Sequence, residues 1–412
     1  MNSPRNIFLW ALYDFANSII LITFFLYFAQ WVVVEKGIQD IYYNLTFTAA
    51  AILLLLTVPI TGFLLDKYWR RITGLRYTTF ATALLFLISA IGAIHDNVPV
   101  ALIFFTLGMY IYLLTFTFYT PLLNDIASPE KIGRISGIGI ACNYAGQFAG
   151  LLLALPFSNG LVSFFGASSR LETLIPSVIV FVVLTLPTII WFYEPPRPKA
   201  IIHFKTEVKE FGTATKNLFL YPGIALFIIT YFLFNDAILT ASNNFPIFME
   251  QVWAVSDNVK TYLLLGIIIT SGIGGLLGGM VSDRLGHKRT MVLILAVWIV
   301  LLPLVGLVTN FTVFIVCAVA MGFWFGASWT VSRSVMSYLI PPGSNNLAFG
   351  YFGLIERASS FIGPVVWGSV VGAFVSIGSF RYRLAIVAVT GFIVLGLWTM
   401  MKVRSDRITS LK

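Results

Sequence analysis

Apolar residues fill long uninterrupted stretches of this chain instead of alternating with polar ones. Each stretch holds at least about 18 residues, enough for an α-helix to cross the ~30 Å hydrocarbon core of a bilayer. Strands of a membrane barrel would alternate apolar and polar residues over about ten positions, so the pattern excludes them. It predicts twelve transmembrane helices, at 7–34, 41–65, 77–95, 98–123, 134–157, 173–193, 221–252, 260–282, 290–308, 311–340, 347–375 and 381–402.

A polar segment between the sixth and seventh predicted helices divides the chain into two equal sets. It covers residues 194–219, opens with prolines and carries five Lys or Arg residues. The predicted domains are a six-helix bundle over 1–193, a cytoplasmic linker over 194–219 and a second six-helix bundle over 220–412. Within the linker, the spacing at 201–216 favours an amphipathic helix lying along the membrane, and a flexible linker is the alternative.

The composition fits a membrane protein and excludes a nucleic-acid-binding one. Apolar residues make up 58%, charged residues 10%, and the mean hydropathy is +0.90. The net charge of +9 is spread between the predicted helices instead of forming a basic domain. Nineteen Lys and Arg residues fall on the side of both termini, and five fall on the other side: Lys36, Arg170, Lys260, Arg381 and Arg383. This asymmetry predicts that both termini are cytoplasmic.

Few residues could form a catalytic or metal centre. Cys142 and Cys317 both lie inside apolar stretches, and His95, His203 and His287 lie in or at the edge of predicted loops. No HExxH, GxSxG or Walker-type sequence occurs. We therefore expect no enzyme activity, no metal, no cofactor and no direct use of ATP.

The two halves resemble each other, which indicates an internal duplication. Three pairs of landmarks recur in the same order at offsets of 213 to 222 residues: Asp14 and Asp236, Asp66 and Asp283, and Gly137 and Gly350. Because each half has an even number of predicted helices, both halves keep the same orientation. The sequence therefore predicts a parallel repeat about an axis along the membrane normal.

Asp14 and Asp236 are predicted to lie inside the membrane, where a carboxylate costs about 2.5–3.5 kcal/mol on insertion scales. Asn17 follows Asp14 by one helical turn, Asn235 adjoins Asp236, and Thr240 lies one turn beyond it. These five residues form a candidate site. The carboxylates could bind a substrate ammonium group or carry a coupling proton. The alternative is a structural cluster that holds the halves together or caps a helix break.

Three further charges are predicted in or near the membrane in the second half. Arg333, near the inner end of the tenth helix, could hold a substrate carboxylate or extend to the lipid headgroups. Glu356 and Arg357 point about 100° apart on the eleventh helix. Arg357 could therefore reach a carboxylate on another helix, and Glu356 is a further candidate for a coupling proton.

The segment GGMVSDRLGHKR at 278–289 resembles the loop signature of the major facilitator superfamily, G-x-x-x-D-R-x-G-R-[RK]. GFLLDKYWRR at 62–71 is a degenerate copy, with Trp69 in place of the loop glycine. In that family the loop is a conformational latch, and the alternative here is a positive-inside loop with a capping aspartate. The resemblance implies the following latch residues: Asp66, Arg70, Asp283, Arg284, Lys288 and Arg289.

WALYDFANS at 10–18, YFLFNDAILT at 231–240 and FGYFGLIERASSFIGP at 349–364 resemble the Atg22-like branch of that superfamily. The resemblance implies an all-α fold of twelve transmembrane helices in two parallel six-helix bundles. It also implies that the first, fourth, seventh and tenth helices line a central cavity. Asp14 and Asp236 would then face each other across it.

The same resemblance implies a secondary transporter that moves a small organic solute by alternating access, with 1–193 rocking against 220–412. Fungal members are linked to export of neutral amino acids from the vacuole, so these are a candidate substrate class, with protons as a candidate coupling ion. A transport-inactive scaffold or receptor that keeps the fold is the alternative. We expect a monomer in a prokaryotic cytoplasmic membrane, in contact with lipid.

Overall fold

The computed structural model describes residues 4–67, 70–126, 132–194, 212–213, 215–221, 223–340 and 345–403. Nearly every residue in these ranges is helical, and no β-strand occurs within them. Most of the predicted linker over 194–219, including most of the predicted interfacial helix at 201–216, lies outside the described residues. The structure therefore tests the predicted helices of the two halves but not most of the predicted linker.

The helices of the first sequence half match the predicted spans. They are α1 (Pro4–Glu35), α2 (Asp40–Lys67), α3 (Arg71–Ile94), α4 (Val98–Tyr119), the short α5 (Leu122–Ile126), α6 (Ile132–Ser158) and α7 (Leu174–Trp191). The hydrogen bonding of α1 is π-helical at Phe24–Phe28 and again at Trp31–Glu35. Such turns are rare and often mark functional positions.

The helices of the second half match their predicted spans except the eleventh. They are α8 (Ile224–Trp253), α9 (Asp257–Leu285), α10 (His287–Leu307), α11 (Phe311–Leu339), α12 (Asn345–Ala358), α13 (Gly363–Ala373) and α14 (Phe380–Lys402). The sequence predicted one helix over 347–375, but the chain leaves the helical conformation at 359–362. Pro364 favours the break, since its ring clashes with the carbonyl four residues earlier and it has no N–H to donate.

Eleven helices of the described ranges are long and apolar enough to cross a membrane. The pair α12 and α13 takes the place of the remaining predicted helix. The all-α membrane fold with twelve crossing segments is thereby confirmed.

The chain divides into two compact units. Unit 1 comprises Met1–Ala200 and Asn243–Ile268, and unit 2 comprises Ile201–Ser242 and Ile269–Lys412. In unit 1, α1 packs against α6 and α7, and α3 packs against α4. In unit 2, α10 packs against α11 and α14. Residues 243–268 belong to the second half by sequence repeat, yet they pack with the first.

A close helix crossing in unit 2 depends on small residues. A Cβ atom at Gly326 on α11 would overlap the carbonyl oxygen of Ser271 on α9, and one at Gly274 would overlap that of Phe323. The hydroxyl of Ser271 donates to the carbonyl of Gly322 at 2.9 Å, and that of Thr270 donates to Val319 at 2.8 Å. Small residues let the two backbones approach closely enough for these interhelical bonds.

We predict that Gly326→Ala lowers the free energy of unfolding by about 1–3 kcal/mol, because the added methyl group must push rigid backbone apart. Thermal unfolding of the purified protein measures the change. Gly272→Ala on α9 is the matched control, since a Cβ atom there meets nothing within 4 Å. It should stay within about 0.5 kcal/mol of the original chain. Equal losses for the two variants would contradict the close crossing.

Candidate functional site

In unit 1, Asp14 belongs to a short chain of side-chain hydrogen bonds. Gln147 donates to the side-chain oxygen of Asn143 at 2.7 Å, and the Asn143 amide nitrogen donates to Oδ1 of Asp14 at 3.1 Å. Asn143 and Gln147 lie one turn apart on α6, so both reach the same side of that helix. Because Gln147 occupies the Asn143 oxygen, the Asn143 NH₂ group is the one directed at the carboxylate.

Asp14 itself is only partly buried, but the aromatic residues around it are buried. The rings of Trp10 and Tyr13 each stack on Tyr119, with centroids 5.1 Å apart in both pairs. The Tyr119 hydroxyl donates to the Trp10 carbonyl at 2.9 Å, and the Tyr13 hydroxyl lies 2.6 Å from that of Thr79. These contacts hold the Asp14 turn of α1 firmly against α3 and α4.

Asn17 has a different environment from Asp14. Its side chain is buried, and its amide nitrogen has no hydrogen-bond partner among the described residues. The structure thus leaves Asn17 outside the hydrogen-bonded chain that includes Asp14.

In unit 2, Asp236 caps the helix break. Its fully buried carboxylate accepts backbone N–H groups from Phe361 at 3.2 Å, Ile362 at 3.1 Å and Gly363 at 2.7 Å. These amides open α13 and have no partner inside that helix. A carboxylate suits this position both as an acceptor and as a negative charge at a helix N-terminus. Thr240, one turn along α8, packs against Gly363.

Asn235 connects three elements of unit 2. It is fully buried, donates to the carbonyl of Glu356 at 3.2 Å and accepts from the indole N–H of Trp329 at 3.3 Å. The Glu356 carboxylate in turn lies 3.4 Å from the guanidinium of Arg333. Arg357 is partly buried on α12, with its guanidinium near Gly353.

The two intramembrane aspartates are therefore supported in different ways. The repeat offset that relates Gly137 to Gly350 also relates Asn143 to Glu356. Asn143 can donate a side-chain N–H to Asp14, but an ionised glutamate cannot donate to Asp236. In unit 2 the backbone amides freed by the helix break supply the donors instead.

At the first predicted latch, the arginines contact a residue that the sequence analysis did not select. Glu194 accepts the backbone N–H groups of Arg71 at 3.1 Å and Ile72 at 3.0 Å, and so caps α3. Arg70 donates to the Glu194 carbonyl at 2.8 Å, and Arg71 pairs with Asp125 at 3.0 Å. The side chain of Asp66 lies outside the described part of the structure. The sequence places the Glu194 carboxylate directly after the sixth predicted helix, and this signal could have identified it.

At the second predicted latch, the turn is well formed but most of its charges are exposed. Gly286 has a φ of 92°, which glycine adopts without strain, and Ser282 bonds His287 at 2.7 Å. Lys288 donates to the carbonyl of Met401 at 3.0 Å. Asp283 makes no ion pair within the described ranges, and the remaining predicted latch residues, Arg284 and Arg289, are exposed.

Comparison with protein families gives a match to "Vacuole effluxer Atg22 like" over residues 124–408. Autophagy-related protein 22 of Pichia angusta is 32% identical over 165 residues, covering 36% of this chain and 28% of that protein. Its counterpart from Yarrowia lipolytica is 26% identical over 313 residues, covering 66% and 51%. The chain thus spans about half or less of the length of these relatives.

Solved structures of transporters share the fold. A bacterial homologue of the human lysosomal transporter Spinster matches with a TM-score of 0.75 at 14% identity, covering 98% of this chain and 97% of that one. The nucleoside transporter NupG matches with 0.73 at 14% identity, covering 99% and 100%. A bacterial homologue of the iron transporter ferroportin matches with 0.70 at 12% identity, covering 99% and 100%. These matches confirm the predicted major facilitator fold.

Proposed function

Because this chain belongs to the family of vacuole effluxers like Atg22, we propose that it is a secondary active transporter of a small organic solute, with neutral amino acids as the substrate class. Family membership and the fold shared with solved transporters support a membrane transporter over an enzyme. The solute, its coupling to protons and the alternating-access cycle, in which 1–193 rocks against 220–412, are parts of the proposal.

The observation that carries the proposal is the environment of Asp14. A carboxylate inside a membrane helix is seldom retained without a function or a fixed partner. Here the Asn143 amide orients one oxygen of Asp14, and the side chain stays partly accessible. This arrangement suits a site that binds the ammonium group of an amino acid or takes up a coupling proton.

Unit 2 offers charges of both signs. The side chains of Arg333 and Glu356 are 39% and 21% exposed, so the surrounding protein encloses neither of them completely. In the proposed cycle Arg333 releases Glu356 and binds the carboxylate of the solute. The Arg333–Glu356 pair forms again when the solute leaves. Asp236 has a supporting role, because its carboxylate already binds three backbone amides.

The proposed setting is a cytoplasmic membrane with both termini on the cytoplasmic side and the protein as a monomer. The charge asymmetry across the predicted loops supports this orientation.

A ligand screen tests the proposed function. Purified protein is heated with each of the neutral amino acids, with nucleosides and with organic acids, and the unfolding temperature is recorded. A solute at a hundred times its Kd adds about 2.7 kcal/mol to the stability of the folded state. We expect such a shift for at least one neutral amino acid and a smaller one in Asp14→Asn. No shift with any solute would favour a transport-inactive scaffold.

A further inference from the structure

A dense cluster of charges lies in unit 1 at the membrane face opposite the N-terminus. Lys260 on α9 is fully buried, and its ammonium group contacts Gln30, Glu250 at 2.5 Å and Asp257 at 2.7 Å. Arg170, just before α7, contacts the same two carboxylates at 2.8 and 2.9 Å. It also lies 3.4 Å from Glu35 at the end of α1. We call these six residues the charged cluster.

A second polar contact lies in the same unit. The side-chain amides of Asn44 on α2 and Asn244 on α8 exchange two hydrogen bonds, at 2.9 and 2.7 Å, and both are fully buried. Like the charged cluster, this pair joins residues 1–200 to residues 243–268, which the sequence repeat assigns to the other half. Both contacts hold the end of α8 or the start of α9 in unit 1 by polar bonds.

The chemistry of these contacts fits an interface that opens. A buried ion pair loses hydration when it forms, and apolar residues of similar size often give equal or greater stability. A permanent contact would therefore be served better by apolar packing. A contact that separates into water needs polar groups, since exposed apolar surface would favour renewed closure. The two π-helical turns of α1 flank Gln30, at a point where that helix can change its hydrogen bonding.

We propose that the charged cluster, together with the Asn44–Asn244 pair, is a gate that opens once in each transport cycle. It is closed in the conformation described here. The proposal rests on the proposed function as an alternating-access transporter. The charges are nearly balanced, with Arg170 and Lys260 against Glu35, Glu250 and Asp257, so loss of one cation leaves adjacent carboxylates that repel each other.

Thiol labelling tests the gate without any solute. Cys142 and Cys317, the two cysteines of the chain, are replaced by alanine, and Thr261→Cys is introduced as a reporter. Thr261 is fully buried beside Tyr27. The protein is placed in lipid nanodiscs, where both faces are open to a water-soluble maleimide. Arg170→Ala is expected to raise the labelling rate at least about tenfold, the factor that corresponds to 1.4 kcal/mol.

Two further variants keep the test decisive. Asn44→Ala combined with Asn244→Ala removes both partners of the pair, so neither amide is left facing an apolar side chain, and this variant should fold and also label faster. Lys36→Gln is the matched control, because Lys36 pairs with the exposed Asp96 outside the cluster. Its labelling rate should not change. Unchanged labelling in the folded gate variants, or an equal rise in Lys36→Gln, would overturn the gate.

A cross-link relates the gate to transport. Asn44→Cys with Asn244→Cys, oxidised to a disulfide, should stop uptake of a solute found in the ligand screen, and reductant should restore it. A wild-type protein that binds no solute would count against the proposed function, while the labelling result would stand. Uptake that continues in the cross-linked protein would count against the gate alone.

Discussion

Asp236→Ala is expected to lower the free energy of unfolding by about 3–5 kcal/mol, the largest loss we predict for a single substitution. The change leaves the N–H groups of Phe361, Ile362 and Gly363 without their acceptor inside the membrane fold. It also removes the negative charge that stabilises the N-terminus of α13. Asp236→Asn keeps one carbonyl acceptor and should lose about 2 kcal/mol. Equilibrium unfolding in mixed detergent micelles measures both.

Two comparisons make this prediction specific to the helix break. Asp14→Asn replaces the other intramembrane aspartate and should stay within about 1 kcal/mol of the original chain, because asparagine keeps a side-chain oxygen that can accept the Asn143 amide. Pro364→Ala in the Asp236→Ala background should recover part of the loss, since alanine permits the helix to close across 359–362. Equal stability of Asp236→Ala and the original chain would show that the cap contributes nothing.

The second large effect is expected on solute binding. Asp14→Asn should reduce solute binding at least about tenfold while the protein remains folded, because a charge-assisted bond to the solute is replaced by a neutral one. Asn143→Leu should give a smaller loss, since Asp14 keeps its charge but loses the donor that orients it. Isothermal titration with the solute found in the ligand screen measures both affinities.

The control for this prediction is Asp96→Asn, which removes a carboxylate of an exposed pair with Lys36. Its affinity should lie within about twofold of the original value, because exposed pairs contribute little and the site is untouched. Full affinity in Asp14→Asn would remove Asp14 from the binding site. Asp14 would then be a structural residue of α1.

The sequence predicted the crossing segments because bilayer thickness imposes a length on every apolar stretch. It did not predict the break at 359–362, although Pro364 was visible. Proline alone does not decide the matter, since α8 continues through Pro246 without interruption. The difference is the Asp236 carboxylate, which compensates the amides that a break exposes. That partner lies about 125 residues away in sequence and no local pattern reports it.

Sequence reasoning selected the charged residues of the candidate site but not their neutral partners. Asp14, Asp236 and Glu356 were selected because a charge in an apolar stretch is conspicuous. Asn143 and Gln147 were missed, because a neutral amide on a transmembrane helix has many ordinary uses. Lys260 was counted only as one of five charges on the far side. Its contacts with Gln30 and Glu250 depend on packing between helices that are distant in sequence.

The central claim is that this chain moves a solute by using an ion gradient, and concentrative uptake tests it most directly. The protein is reconstituted into proteoliposomes, a pH gradient of either polarity is imposed, and accumulation of labelled neutral amino acids is followed. We predict accumulation above the external concentration that collapses when a protonophore is added and is lost in Asp14→Asn. Equal concentrations inside and outside under both polarities, with the protein folded, would contradict the claim.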